Sequence, residues 1–376
     1  MEQIMNRFRS VVEAPYEKLA EWKNASKGKV VACSPMHFPE ELIHAAGMLP
    51  VVLQETNEAI TSGFSHIHPF YCGITRNMVD IADKGQLNFL DAIFYSDICV
   101  QARTATCILQ QTLPRTRVEY MRLPMSLNRP NASEDTVREF DKVKSTVESI
   151  AGNKIDDSAL KQSIRVYNKN RSLLRSLRDL RKANPGLLAY RDMLLIIQAG
   201  MLMPKEEHSE LLEKLLSRLK KGKAASKKGR KVLLSGHLCQ KPKADILDLI
   251  EGMGGIIVDD DLYTGYRYCA LDAEENGSPF QALVKRYLET SLPVPTRSYL
   301  PVRWDKYLVD KATANRAQGV IILVVKYCEP HLFHYPFIKE ALAAAGIPHI
   351  MLETEHEVVS LEGTRTRLQA FMEMLG

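Results

Sequence analysis

Residues 319–354 read GVIILVVKYCEPHLFHYPFIKEALAAAGIPHIMLET. The run 319–327 is apolar and rich in β-branched residues, which predicts a buried strand. Cys328 stands at its mouth. The segment "PFIKEALAAAGIP" predicts a helix that runs into Gly346, and "IPHIMLET" (347–354) predicts the next strand. Short apolar strands joined by helices imply a parallel sheet covered on both faces.

The same order recurs along the chain. Upstream of this stretch lie strand candidates "KVLLSGHL" (231–238) and "GGIIVDDDL" (254–262), with the helix-like "ADILDLIEGMGG" between them. The N-terminal part repeats the pattern in "KVVAC" (29–33), "LPVVLQ" (49–54), "FLDAIFYSD" (89–97) and "RVEYMRLP" (117–124). Its first helix, "PEELIHAAGM", has Pro39 at its start and Gly47 at its end. The middle of the chain offers helices instead of strands. One runs from a cap candidate, Ser133, to Gly152; a second stops at Asn184-Pro185-Gly186; a third is the charged "MPKEEHSELLEKLLSRLKK". The chain is therefore expected to be α/β, with two Rossmann-like lobes built on parallel sheets and a helical domain between them. The expected boundaries are 1–133, 134–228 and 229–376, the middle unit ending in a solvated basic linker.

With 376 residues the chain is long enough for two or three packed domains, and 45% hydrophobic with 25% charged residues is an ordinary globular balance. The net charge of +5 is mild and concentrated in "RLKKGKAASKKGRK" (218–231), so no nucleic-acid partner is expected. No apolar run approaches the ~18 residues of a membrane span, and "MEQIMNRFRSVVEAPYEK" lacks the apolar core of a signal peptide. The expectation is a cytoplasmic protein that does not enter a membrane. No phosphate loop and no dinucleotide fingerprint is present, so nucleotide binding through either is not expected.

The seven cysteines carry the chemical signal. Cys33, Cys99, Cys239, Cys269 and Cys328 each come at or after a strand end, and Cys72 lies in the long connection after the second strand. Ligands of open parallel sheets bind outside the carboxyl ends of the strands. Cys107, in "RTATCILQQ", falls in a predicted helix and is expected to be structural. A disulfide framework does not suit a cytoplasmic chain of this size. Zinc is an alternative, but the short paired ligands of structural zinc sites are missing. Single cysteines converging from separate loops suit an iron–sulfur cluster, because thiolates are soft anionic donors for iron. Burial as small apolar side chains is the competing account. Two weaker motifs are Asp259 to Asp261 in "VDDDLYTG", either a divalent-metal site or a strand end, and His66 and His68 in "SHIHPFYC", either ligands or proton donors or a plain surface loop.

Over nearly its whole length the chain resembles the benzoyl-CoA reductase and 2-hydroxyacyl-CoA dehydratase family. The stretches that carry the resemblance are "PEELIHAAGMLPV", "YCGITRN", "LNFLDAIFYSDICVQAR" and, most specifically, 319–355. The resemblance implies a [4Fe-4S] cluster held by three cysteines, here Cys72, Cys99 and Cys328. Cys33, Cys239 and Cys269 are further candidate iron ligands. Val100 follows Cys99 where the family often has Asp, and Tyr263 precedes Thr264-Gly265 where a double-cubane branch has cysteine. This argues against a double cubane, though the nearby Cys269 keeps it open. "CGITRN", "KYCEP" and "AGMLMPKEEHSELL" look most like the smaller catalytic subunit of benzoyl-CoA reductase. The resemblance also implies a larger paralogous subunit, an acyl-CoA substrate and a separate ATP-hydrolysing iron–sulfur activator, the only route by which ATP enters. His37, His66 and His68 are the candidate proton donors. The alternatives are a 2-hydroxyacyl-CoA dehydratase subunit and a non-catalytic electron relay.

Overall fold

The computed structural model describes residues 1–376 except 35, 223–226, 238, 289–291, 299–301 and 358–359. The middle of the expected basic linker and the last residue of the expected strand 231–238 lie outside the described residues.

Two N-terminal helices, α1 (Glu2–Glu13) and α2 (Pro15–Ser26), precede the first sheet. That sheet is built from β1 (Val30–Cys33), β2 (Leu49–Val52), β3 (Ala92–Ser96) and β4 (Arg117–Met121), with α3 (Glu40–Ala45), α4 (Gly73–Asp83) and α5 (Val100–Thr112) in the connections. Its strand order is β2-β1-β3-β4, all parallel. Four helices follow: α6 (Ala132–Ala151), α7 (Asp157–Ala183), α8 (Tyr190–Gly200) and α9 (Lys205–Lys221). The second sheet contains β5 (Arg230–Gly236), β6 (Gly255–Asp260), β7 (Gly319–Val325) and β8 (His349–Thr354), in the matching parallel order β6-β5-β7-β8. Around it lie α10 (Ala244–Gly252), α11 (Pro279–Leu288), α12 (Trp304–Ala314), α13 (Glu329–Ala344) and α14 (Glu362–Met374). Strands β1, β2, β3, β6 and β7 are buried at every position, which is why they read as apolar runs and not as alternating patterns. No helix among the described residues is long and apolar enough to cross a membrane.

The observed elements follow the expected ones, with trimmed ends. The strand expected over 117–124 stops at Met121. Ser133 is not the cap of α6; Asn131 holds that position, and the helix has already started at Ala132. Helix α8 escaped the sequence reading. Its buried face carries Tyr190, Met193, Leu194, Ile196 and Ile197.

Helix α7 is the long brace between the lobes. Its 27 residues span about 40 Å at 1.5 Å per residue. On the first-lobe side, buried Arg171 pairs with Glu41 of α3 at 2.8 Å. Two turns on, buried Arg178 meets Asp259 and reaches Asp260 at 2.6 Å, both at the end of β6. Lys182 and Lys311 hold Asp259 from other sides, at 2.6 and 3.0 Å. Asp261 accepts from Arg267 and from the Trp304 indole, each at 2.9 Å. The three consecutive carboxylates are thus paired with cations and donors, some local (Arg267 and the Leu262 and Tyr266 N–H groups) and some from distant parts of the chain.

A second tie joins the lobes directly. Glu55, beyond β2, accepts from His356 Nδ1 and from Gln240 Nε2, the latter at 2.8 Å. His356 Nε2 lies 2.7 Å from the Glu58 carbonyl. One ring nitrogen faces a carboxylate and the other a carbonyl, so both must donate, and the imidazole is held as the cation. Burial opposes that charge, but the hydrogen bond and the negative charge of Glu55 outweigh it and raise the His356 pKa. Arg76 adds a bond to Glu355 at 2.9 Å. Gly73 is required at this junction, because a Cβ there would stand 2.7 Å from His356 Cβ.

Two outcomes are expected from this architecture. Arg178→Met strands buried carboxylate charge at the end of β6 and should cost about 3–5 kcal/mol, read as a fall in the urea unfolding midpoint. A raised histidine pKa stabilises fully below the unfolded value and fades as pH rises through the folded one. His356→Gln should therefore lose more stability near about pH 5.5 than near about pH 9, measured by chemical unfolding at both.

Candidate functional site

In each sheet the chain moves outward from the first strand in one direction and then returns to add strands on the other side. The switch points lie between β1 and β3 and between β5 and β7, and crevices outside such points are where open α/β sheets bind ligands. Cys99 follows β3, Cys239 follows β5 and Cys328 follows β7. Cys72 arrives from the connection before α4.

Three of these thiols share one local design. Cys72 is the N-cap of α4, Cys99 of α5 and Cys328 of α13. A helix N-terminus presents unpaired N–H groups and a positive dipole end, which favour an anionic sulfur. Cys99 Sγ accepts from the Ala102 N–H at 3.4 Å. Cys72 Sγ lies 3.2 Å from Thr75 Oγ1, and Cys328 Sγ lies 3.2 Å from His331 Nδ1. Three strand exits also take a left-handed backbone at a residue other than glycine: His37 (φ 62°), His237 (φ 41°) and Tyr327 (φ 65°). Such residues cost about 1–3 kcal/mol each and gather at functional sites.

The four thiols Cys72, Cys99, Cys239 and Cys328 lie within electrostatic reach of one another. Burial is the main force raising their pKa values, to about 11 at Cys99 and about 12 at Cys328, and neighbouring thiols add to it. Burial likewise raises Cys72, and it raises Cys239 well above the usual thiol value, with Cys99, Cys72 and Cys328 all contributing there. The other cysteines stand elsewhere. Cys33, the last residue of β1, faces Glu40, Glu41 and Lys205. Cys269 faces Arg178 and Asp260. Cys107 is exposed on α5. Among the described residues no three His, Cys, Asp or Glu side chains close on a single metal ion. Four thiols on four separate loops are soft donors that could hold a metal centre.

The expected proton donors separate. His37 lines a cavity of about 120 Å³ with Glu40, Lys205, Tyr263 and Tyr268. Burial pushes its imidazole well below the ordinary value, so it is neutral. His66 is exposed and pairs with Asp83 at 2.9 Å, and His68 is exposed against the Phe70 ring. The cavity uses loops that follow β1 and β6, whereas the thiols use loops that follow β3, β5 and β7 and the turn before α4.

Three side chains at the thiols were not singled out from sequence. His331 sits one helical turn after Cys328, and its Nε2 is buried without a hydrogen-bond partner among the described residues. His237, before Cys239, likewise has a buried Nδ1 without a partner among the described residues, while Nε2 meets Thr354 Oγ1 at 2.7 Å. Burial lowers both imidazoles to about 3, so both are neutral. The third is Gln101. Its Oε1 accepts from the Cys72 N–H at 2.8 Å, and its Nε2 donates to the Tyr327 carbonyl at 3.0 Å. The i, i+3 spacing of Cys328 and His331 was a usable signal; a glutamine two residues past a cysteine was not.

Comparison with known proteins agrees with the resemblance. Residues 35–375 match the family model described as 2-hydroxyglutaryl-CoA dehydratase, D-component. A benzoyl-CoA reductase subunit of Thauera aromatica is 28% identical over 96% of each chain. The (R)-phenyllactyl-CoA dehydratase beta subunit of Clostridium sporogenes is 26% identical, and the lactoyl-CoA dehydratase beta subunit of Anaerotignum propionicum 27%, each over 100% of this chain and 99% of the relative. All three relatives are subunits of acyl-CoA enzymes, one a reductase and two dehydratases. With the match running from the first strand exit to the last helix, the chain belongs to the 2-hydroxyglutaryl-CoA dehydratase D-component family.

Proposed function

We propose that the chain is the iron–sulfur subunit of an ATP-dependent acyl-CoA reductase of the benzoyl-CoA reductase type, acting in the cytoplasm beside a larger paralogous subunit. The observation that supports this reading is that Cys72, Cys99 and Cys328, from both lobes, each cap a helix N-terminus and that Gln101, two residues past Cys99, bonds the backbone of Cys72 and of the residue before Cys328. These three would hold a [4Fe-4S] cluster, which supplies one-electron chemistry at low potential when bound. The chain's own contribution is to present thiolates, bury them and keep water away. Units 1–133, 134–228 and 229–376 would then act as two thiol-bearing lobes and a helical brace.

The acyl end of the substrate would lie in the cavity beside His37. At about 120 Å³, with Phe38, Phe140, Tyr167 and Tyr287 among its lining residues, the space can take a flat ring, and Glu40, Glu41, Arg171, Lys205 and Arg286 give the rest of its wall a charged, polar character. Neutral His37 can donate a hydrogen bond there, and of the three candidate histidines it alone lines the space. The electrons would come from a separate ATP-hydrolysing iron–sulfur activator.

Two observations support other members of the same class. The relatives include dehydratases at nearly the same identity as the reductase, so a 2-hydroxyacyl-CoA dehydratase subunit is the alternative reaction. Cys239 supplies a fourth thiol beside the three, and a fully ligated cluster suits an electron relay.

Anaerobic purification with the larger paralogue should give about four irons and four sulfides for this chain. Cys72→Ala, Cys99→Ala and Cys328→Ala should each remove most of that iron, and Cys107→Ser should remove none. Iron retained in all three alanine variants would overturn the site. With reduced activator and ATP, benzoyl-CoA should be reduced and 2-hydroxyacyl-CoAs left unchanged; the reverse pattern would move the assignment to the dehydratases.

A further inference from the structure

The three thiol loops come from two lobes, and one side chain touches two of them from the helix that the third one caps. Gln101 lies in the first turn of α5, two residues past Cys99, and is buried. Its carboxamide oxygen accepts from the Cys72 backbone N–H at 2.8 Å. Its carboxamide nitrogen donates to the carbonyl of Tyr327, the residue before Cys328, at 3.0 Å. Tyr327 is in the left-handed region at φ 65°, so its carbonyl direction is set by a backbone conformation that needs support. A primary amide is the side chain that suits both ends, because it offers an acceptor and a donor on one rigid plane.

We propose that Gln101 is the positioning residue of the thiol site. It holds the Cys72 and Cys328 loops in register against the Cys99 helix, so the three sulfurs are pre-arranged across the crevice before any metal arrives. The inference rests on reading these cysteines as one site, but it concerns the loops themselves. Two neighbouring ties run between the same loops, but neither bonds the Cys72 N–H or the Tyr327 carbonyl as Gln101 does: Arg76 bonds the Tyr71 carbonyl and Glu355, each at 2.9 Å, and Glu355 also meets Lys326 at 3.1 Å, while the Phe70 and Tyr327 rings pack edge to face at 5.8 Å.

The roles of the two amide ends can be separated. Gln101→Leu removes both bonds. Gln101→Glu keeps an acceptor for the Cys72 N–H but faces the Tyr327 carbonyl with oxygen instead of a donor. The full-length chain, stripped of iron with a chelator, is alkylated with iodoacetamide, and the rate at each cysteine is followed by mass spectrometry. Exposed Cys107, on the same helix, is the internal reference. Local opening governs such rates in part-buried thiols. Gln101→Leu should speed alkylation at Cys72 and Cys328 by about fivefold or more, with Cys107 unchanged. Gln101→Glu should speed Cys328 and leave Cys72 near the wild-type rate. Unchanged rates at both thiols in the leucine variant, or equal acceleration of both in the glutamate variant, would overturn the proposal. If circular dichroism shows that the leucine variant does not fold, the glutamate variant decides alone. Iron content is measured separately on anaerobically purified chain. Iron absent from the wild type would defeat the cluster reading, and the alkylation pattern would still decide the positioning role.

Discussion

The buried arginines of α7 hold the rest of the structure in place. Arg171 points its charge at the first lobe and Arg178 points its charge at the second, from two turns of one rigid helix. Neither pair is a large net stabiliser, because desolvation offsets much of the Coulomb gain. What a buried pair does supply is geometric intolerance. Losing a buried arginine partner at either end is costly even though Glu41 keeps Arg286 and Asp259 keeps Lys311, so rotation of the lobes away from α7 is penalised. The Glu55–His356 clasp then closes the other side of the crevice. With both sides fixed, loops separated by more than two hundred residues meet at one place.

The thiols in that crevice are under opposed forces. Each of the three N-cap positions favours a thiolate by about 0.3–1 kcal/mol. Burial and neighbouring sulfurs push the other way, and burial wins at Cys72, Cys99 and Cys328. Free of metal, the thiols are therefore protonated near neutral pH. A bound cation reverses this balance, since a coordinating thiol gives up its proton. The same burial that makes the bare site unfavourable for charge makes it favourable for thiolate paired with metal, in a dry setting.

Much of this was legible in the sequence, and the limits have physical causes. Buried parallel strands read as apolar runs, so all eight strands could be placed, and the cysteines could be placed relative to strand ends. Boundaries moved by a few residues because caps such as Asn131 make no side-chain cap bond and leave no sequence mark. Asp259 to Asp261 offered either a metal site or a strand end in the sequence because the cations that meet Asp259 lie far off. Arg178 is 81 residues from Asp259, and nothing local announces it. Gln101 was unreadable for the same reason: one partner lies 29 residues before it and the other 226 after. Spacing reveals contacts within one element, and the contacts that set this site cross between elements.

The arrangement also separates two tasks along one edge of the fold. The thiols occupy the exits of β3, β5 and β7 and the cap of α4, while the cavity occupies the exits of β1 and β6 and borrows residues from α3, α6, α7 and α11. The two regions are neighbours on the carboxyl edges of the same sheets, yet they share few side chains. On the proposed reading, the part of the chain that handles electrons and the part that surrounds the acyl group can therefore change independently. Replacing Phe140 reshapes the cavity wall at a residue of α6, away from the helix caps that carry the thiols. The relatives are named for benzoyl, phenyllactyl and lactoyl groups, which differ greatly in size and polarity, and they match 96–100% of this chain. A fixed thiol crevice beside an adjustable cavity is a physical arrangement under which such different acyl groups can be served by one fold.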